Sequence, residues 1–201
     1  MPGEHHGLRW VTRTASVGSH GDDRVAVVVH SDVVRIVVAD GAGNSGVGGL
    51  AAACLVSLAE RLSSDWEPTA ILRAADAAIV KDNRGAETTG VVLGIRNGRM
   101  TGAGVGDSGA WLLFPDDLEH LTSRQRRKPL LGSGSATPVR FEARLEGRLL
   151  VATDGLLKYA SRDHLIRASE GDLDAAADSL MESVRLPTGA LQDDVGLVLA
   201  G

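Results

Sequence analysis

The chain has 201 residues, of which 43% are hydrophobic and only 3% aromatic, and its formal net charge is −5. This length suits one domain, residues 1–201, with a core of Val, Leu, Ile and Ala. The acidic balance disfavours a nucleic-acid binder, because neutralising phosphates requires a basic surface. The polar start of the chain predicts no signal peptide, and no apolar run reaches the roughly 20 residues of a membrane helix. We expect a cytoplasmic protein without nucleic-acid or membrane partners, and the sequence leaves its oligomeric state open.

The first third of the chain is predicted to contain strands followed by two helices. Residues 8–17 favour a strand, and the Val-rich runs at 24–30 and 33–40 predict a hairpin across Ser31-Asp32. After a glycine-rich turn, apolar residues at helical spacing predict a helix over residues 47–62, with Leu50 on its inward face. A second helix is expected to begin at Pro68.

The rest of the chain returns to strands and ends with a helix and a strand. Residues 88–96 and 99–105 flank Asn97-Gly98, the strongest hairpin signal in the sequence. Further strands are predicted at 109–114, 139–145 and 148–153, the last two as a hairpin across Glu146-Gly147, and at 195–200. A helix is expected after the N-cap residue Asp172. The polar region 118–137 carries a basic run made of Arg124, Arg126, Arg127 and Lys128.

Blocks of strands that alternate with helix pairs favour an α+β fold. The hairpins imply mainly antiparallel sheets, and each sheet needs one face covered. We therefore expect two stacked, mainly antiparallel β-sheets flanked by helices, an α-β-β-α sandwich.

Acidic residues stand at the ends of several apolar strands. Taken singly, each Asp-Gly or Asp-Asp pair is typical of a turn. Together, carboxylates brought to one place would repel one another unless a cation lay between them. Mg²⁺ and Mn²⁺ prefer such oxygen ligands, the His and Cys pattern of a zinc site is absent, and the lone Cys54 is interpreted as a core residue. The acidic positions are Asp22-Asp23, Asp40-Gly41, Asp107, Asp154-Gly155 and Asp193-Asp194.

These aspartates lie in four longer motifs. In chain order the motifs are VVRIVVADGAGNSGVGGLAA, TTGVVLGIRNGRMTGAGVGDSGAWLL, RLLVATDGLLKY and QDDVGLVLA. The set resembles the aspartate motifs of the type 2C, metal-dependent protein phosphatases, especially their small bacterial members. The resemblance covers residues 18–200. It implies a serine/threonine protein phosphatase that hydrolyses phosphoester bonds with a water activated by two Mn²⁺ or Mg²⁺ ions, and a phosphorylated protein as substrate.

The resemblance also implies the role of each acidic residue. One aspartate would bridge two ions, the others would complete the two coordination shells, and a third ion could bind in addition. No side-chain nucleophile is needed, so Cys54 would have no catalytic role. The implied ligands are Asp40 as the bridge with the carbonyl of Gly41, Asp154 and Asp193 on one ion, Asp22 and Asp23 on the other, and Asp107 with Asp154 on a third ion.

The chain departs from the family pattern where the substrate phosphate is held. Family members commonly carry an arginine four residues before the acidic pair, and here that residue is Gly18. His20, Arg13 and Arg24 are the candidates to replace it, with His20 preferred because it lies two residues before the pair. The position after Asp40-Gly41, a histidine in many eukaryotic relatives, is Ala42.

Two alternatives follow from these departures. The first is a catalytically weak or inactive member of the fold that acts as a regulatory or binding module, which the missing arginine favours. The second retains the metal ions but acts on a small phosphorylated metabolite. The basic run in the 118–137 region would attract an acidic phosphorylated partner if it is functional, or else forms an ordinary solvated loop.

Overall fold

The computed structural model of the chain describes residues 2–18, 21–43, 47–82 and 85–201. Blocks of strands alternate with groups of helices along these residues, as the sequence predicted. In chain order the elements are β1 (Pro2–His5), β2 (Leu8–Ala15), β3 (Arg24–Val29), β4 (Val34–Ala39), β5 (Gly41–Ala42), α1 (Val47–Arg61), α2 (Pro68–Asp82), β6 (Glu87–Thr88), β7 (Gly90–Arg96), β8 (Arg99–Val105), β9 (Gly109–Leu113), β10 (Leu118–His120), β11 (Val139–Arg144), β12 (Arg148–Ala152), α3 (Asp154–Leu157), α4 (Arg162–Arg167), α5 (Leu173–Ser183) and β13 (Val195–Ala200).

The strands form two large antiparallel sheets and one small one. A six-stranded sheet has the order β1-β2-β13-β12-β9-β10, and a five-stranded sheet has the order β11-β8-β7-β4-β3. The short strands β5 and β6 pair with each other. Because the large sheets carry helices on their outer faces, the predicted α-β-β-α sandwich is confirmed.

Alternation along the buried strands divides the core into layers. In β4, Ile36 and Val38 pack in the cluster between the two sheets, whereas Val37 and Ala39 pack against α1 and α2. In β12, Val151 joins the central layer and Leu150 packs against α4 and α5. Since successive side chains point to opposite faces, a strand with both faces covered must be apolar throughout.

Two predicted hairpins are confirmed. β3 pairs with β4 across the Ser31-Asp32 link, and β7 pairs with β8 across Asn97-Gly98. Asn97 and Gly98 both have positive φ, 50° and 70°, the backbone that a two-residue hairpin turn requires.

The hairpin predicted across Glu146-Gly147 is wrong. β11 pairs with β8 in the five-stranded sheet, whereas β12 pairs with β9 and β13 in the other sheet. The Glu146-Gly147 link therefore crosses between the sheets. Gly147 packs against β9, where an added Cβ would lie 2.6 Å from the carbonyl oxygen of Leu113.

The helices begin where their signals predict, but one inward face differs from expectation. α2 starts at Pro68, and the side chain of Asp172 accepts a hydrogen bond from the backbone N–H of Ala175 at the start of α5. The inward face of α1 consists mostly of glycine and alanine, so Leu50 is 48% exposed, contrary to the prediction. Cys54 is half-buried against the core between α1, α2 and the five-stranded sheet.

The strand registers bring the acidic loops to one edge of the sandwich. The last residue of β4 pairs with the first residue of β3. In the same way, the last residue of β8 pairs with the first residue of β7. The last residue of β12 pairs with the first residue of β9 and lies beside the start of β13. The loops at this edge contain Asp22-Asp23, Asp40, Asp107, Asp154 and Asp193-Asp194. In the described ranges, none of the helices has the length and apolar character that crossing a bilayer requires.

Candidate metal centre

Three carboxylates from three different loops meet at this edge. Asp40 follows β4, Asp107 lies between β8 and β9, and Asp154 opens α3. One carboxylate oxygen from each lies within 4.8 Å of the others. We call this group the acidic cluster. The structure therefore brings together aspartates that are separated by more than a hundred positions along the chain.

Backbone hydrogen bonds fix Asp40 at the cluster. Its carbonyl oxygen accepts bonds from the N–H of Thr89 and the hydroxyl of Thr88, both 2.8 Å long. Its own N–H donates to the hydroxyl of Thr89 at 3.2 Å. The Thr89 hydroxyl also lies 2.6 Å from that of Ser108, the neighbour of Asp107. A short hydrogen-bonded path thus joins the Asp40 and Asp107 loops.

A glycine allows the Asp154 and Asp193 segments to approach each other closely. A Cβ at Gly155 would overlap the carbonyl oxygen of Asp194. The Thr153 hydroxyl reinforces this contact by accepting the N–H of Gly196 at 2.9 Å. Burial, and after it the charge of Asp154, raises the pKa of Asp193 above its ordinary value.

Asp23 lies in the interior next to the cluster. It is 7% exposed, and its Oδ2 atom is buried without a hydrogen-bond partner among the described residues. Burial, and next the charge of Asp40, raises the pKa of Asp23. Burial, and next the charges of Asp154 and Asp107, raises the pKa of Asp40. Because an unpaired buried carboxylate is costly, this arrangement calls for a compensating positive charge.

Asp22 and Asp194 have hydrogen bonds that organise the loop before β3. The Asp22 carboxylate accepts the N–H of Gly49 in the first turn of α1 at 2.9 Å. The two oxygens of Asp194 accept the N–H groups of Val17 and Asp22 at 2.8 and 2.7 Å. Neither belongs to the acidic cluster. Gly41, the expected carbonyl ligand, follows Asp40 directly in β5.

Two of the three predicted phosphate-binding cations lie in the described part of the chain, and both have protein partners there. Arg13 instead binds Asp174 and Asp178 of α5, at 2.9 and 2.6 Å. It lies on the helix-covered face of its sheet, and these ion pairs do not support its predicted role as a phosphate ligand. The guanidinium of Arg24 donates to the carbonyl oxygens of Gly21 and Asp23. The preferred candidate His20 lies outside the described residues.

Two other cations contact the cluster, and sequence reasoning did not assign either to it. Lys158 Nζ lies 2.8 Å from Asp154 Oδ2, and Arg127 Nε lies 3.3 Å from Asp107 Oδ2. The ion pair with Asp154 raises the pKa of Lys158. The four-residue spacing between Asp154 and Lys158 could have predicted this ion pair, since residues at that spacing are neighbours on the surface of a helix. Arg127 was noticed only as part of a basic run.

The donor set fits divalent cations that prefer oxygen. The cluster offers carboxylate oxygens from Asp40, Asp107 and Asp154, and no described histidine or cysteine joins it. Asp23 adds a buried oxygen without a hydrogen-bond partner in the described part of the chain. Mg²⁺ and Mn²⁺ are among the ions that such sets can hold.

Several solved structures of bacterial phosphatases resemble this one. The serine/threonine phosphatase Stp1 from Staphylococcus aureus matches with a TM-score of 0.81 at 20% identity, over 99% of this chain and 96% of that one. The catalytic domain of the serine/threonine protein phosphatase PstP, in complex with two manganese ions, matches with a TM-score of 0.78 at 22% identity, over 96% and 97%. RsbX in complex with magnesium matches with a TM-score of 0.81 at 18% identity, over 100% and 98%. At these identities the likeness shows the fold.

The protein therefore has the fold of the bacterial type 2C serine/threonine phosphatases, as the sequence motifs predicted. The family model described as Stage II sporulation protein E matches residues 30–201, and the chain belongs to that family. Comparison with curated proteins finds no match.

Gly155→Ala tests the close approach that joins two acidic segments. The added methyl group must displace the first turn of α3 from Asp194, and we expect the free energy of unfolding to fall by about 2 kcal/mol or more. Urea denaturation measures the change. Gly18→Ala is the control, because a Cβ there meets nothing within 4 Å. Equal stability of the two variants would show that the contact imposes no constraint.

Asp40→Asn tests the repulsion within the cluster. Because the pKa values of Asp23, Asp40 and Asp193 are raised by folding, the metal-free protein loses stability as pH rises from about 5 to 8. We expect Asp40→Asn to raise the free energy of unfolding at pH 8 by on the order of 1–2 kcal/mol, with little effect at pH 5. Denaturation in EDTA at both pH values measures this.

The control for that experiment is Asp65→Asn, an exposed carboxylate in the loop between α1 and α2. It should change stability little at either pH. The account is contradicted if Asp40→Asn is less stable than the wild type at pH 8 in EDTA.

Proposed function

We propose that the chain is a metal-dependent serine/threonine protein phosphatase. The observation that carries this proposal is the convergence of Asp40, Asp107 and Asp154 on one point, with a buried, unpaired oxygen of Asp23 beside them. The bacterial phosphatases that share the fold support the same reaction. The cytoplasmic location expected from the sequence is part of the proposal, since a single cysteine suits a reducing compartment.

The proposed cofactors are two Mn²⁺ or Mg²⁺ ions, and the same group of residues could bind a third. When bound, such ions lower the pKa of a water molecule and offset the charge of the phosphoryl oxygens. Asp40 is the proposed shared ligand because it belongs to the acidic cluster and its charge also raises the pKa of Asp23. The proposed ligand set is completed by Asp22, Asp23, the carbonyl of Gly41, Asp154, Asp193 and, for a third ion, Asp107.

The protein contributes a rigid frame for these ligands. The three backbone hydrogen bonds of Asp40 hold it against Thr88 and Thr89, and the Thr89–Ser108 contact ties in the next loop. Rigid placement matters because ligands that are fixed in advance need no costly rearrangement. Cys54 packs against the core on α1 and is not part of the cluster, so the proposal gives it no catalytic role.

The surroundings of the cluster favour a phosphorylated side chain on a protein as the substrate. The cluster borders a shallow concavity of about 210 Å³, lined by Asp107, Trp111, His120 and Arg127 among others. Such an open surface admits a protruding side chain rather than enclosing a small metabolite. Two larger concavities, of about 430 Å³ near Trp66 and about 410 Å³ near Gly98, lie at the other end of the five-stranded sheet, away from these carboxylates.

The direct test is hydrolysis by the purified protein. With Mn²⁺ present, we expect turnover of p-nitrophenyl phosphate and of phosphoserine and phosphothreonine peptides, and loss of turnover in EDTA. Asp40→Asn and Asp154→Asn should lower kcat/KM on the order of 100-fold or more, because each removes a proposed ligand. Asp65→Asn serves as the matched control and should retain wild-type activity.

Three outcomes separate the proposal from its alternatives. Folded protein that binds Mn²⁺ but hydrolyses no phosphoester would contradict the enzyme and favour a regulatory module. Turnover of phosphorylated metabolites with none on phosphopeptides would contradict the protein substrate. Wild-type turnover by Asp40→Asn would contradict the proposed metal centre.

A further inference from the structure

A phosphorylated substrate faces an electrostatic problem at this edge of the protein. A phosphate monoester carries about two negative charges at neutral pH. It must approach a surface that already holds Asp40, Asp107 and Asp154. Like charges at close range disfavour binding. The proposed metal ions would offset part of this repulsion, and a protein cation beside the cluster would add a charge-assisted hydrogen bond to the anion.

Lys158 is placed to supply that charge. It caps the C-terminal end of α3, four residues after Asp154, and its Nζ atom lies 2.8 Å from Asp154 Oδ2. Its side chain is 45% exposed, whereas that of Asp154 is 16% exposed. The ammonium thus lies on the solvent side of a cluster carboxylate, where an incoming anion would meet it.

Among the residues that the structure describes, the other candidate cations have other partners or lie farther out. Arg13 is held by two carboxylates of α5, and Arg24 donates to two backbone carbonyl groups. Arg127 contacts Asp107, but its side chain is 73% exposed and its Nε–Oδ2 distance is 3.3 Å. Among the described ion pairs, that of Lys158 is the shortest one to the acidic cluster.

We propose that Lys158 binds the phosphoryl group of the substrate and so takes the place of the arginine that is absent at position 18. This proposal rests on the proposed phosphatase function. If Asp154 binds a metal ion, its carboxylate would attract the ammonium group of Lys158 less strongly. Its four-carbon stem then allows Nζ to turn towards an anion in front of the cluster.

The test measures binding of inorganic phosphate, so that it does not depend on turnover. Calorimetry with Mg²⁺-saturated protein gives the dissociation constant of phosphate for the wild type, Lys158→Gln and Lys158→Arg. Titration with Mg²⁺ alone gives the metal affinity of each. Lys81→Gln is the matched control, because it removes the same charge from an exposed position on α2.

We expect Lys158→Gln to weaken phosphate binding about tenfold, since a charge-assisted hydrogen bond is lost. Its Mg²⁺ affinity should be unchanged or higher, because a competing cation has been removed from Asp154. Lys158→Arg should recover much of the phosphate affinity. With p-nitrophenyl phosphate, the loss should appear mainly in KM.

Three results would overturn the proposal. The first is that Lys158→Gln binds phosphate as tightly as Lys81→Gln does. Another is phosphate affinity lost in Arg127→Gln but kept in Lys158→Gln. The third is a Mg²⁺-saturated wild type that binds no phosphate. A tenfold loss in Lys158→Gln supports the proposal even if the wild type hydrolyses no phosphoester, an outcome that would count against the proposed function alone.

Discussion

Mutual repulsion between carboxylates is the constraint on which the rest of the structure depends. The registers of two sheets bring Asp40, Asp107 and Asp154 to one edge, and burial leaves Asp23 beside them with an unpaired oxygen. Left uncompensated, these charges weaken the folded state as they ionise. The surrounding framework withstands this because it is held by features that do not depend on the charges. The backbone of Asp40 is fixed by hydrogen bonds, and Gly155 lets α3 approach the start of β13 closely.

This arrangement connects stability with function. A protein selected only for stability would have no reason to collect these side chains, because neutral residues of similar size would avoid the repulsion. Lys158 and Arg127 each offset one carboxylate from the solvent side, but neither reaches the buried oxygen of Asp23. Divalent cations held by oxygen ligands would offset the remaining negative charge. The proposed cofactors therefore account for both the chemistry and the presence of these charges.

The sequence predicted most of the local elements, but not always which strands and side chains contact each other in the folded protein. Alternating Val-rich runs predicted the β3–β4 hairpin, and Asn97-Gly98 predicted the β7–β8 hairpin, because both depend on neighbouring residues. The hairpin across Glu146-Gly147 was wrong because a turn signal does not indicate which sheet the next strand joins. The partners of Arg13 could not be predicted for a similar reason, since these carboxylates are 161 and 165 positions away along the chain.

The central claim is that these aspartates form a centre for divalent metal ions. Anomalous diffraction from crystals soaked in Mn²⁺ tests it most directly, because the anomalous signal distinguishes manganese from water and from lighter ions. The account predicts anomalous peaks in contact with the carboxylates of Asp40 and Asp154. A protein that is folded in the crystal but shows no peak at these carboxylates at saturating Mn²⁺ would contradict it.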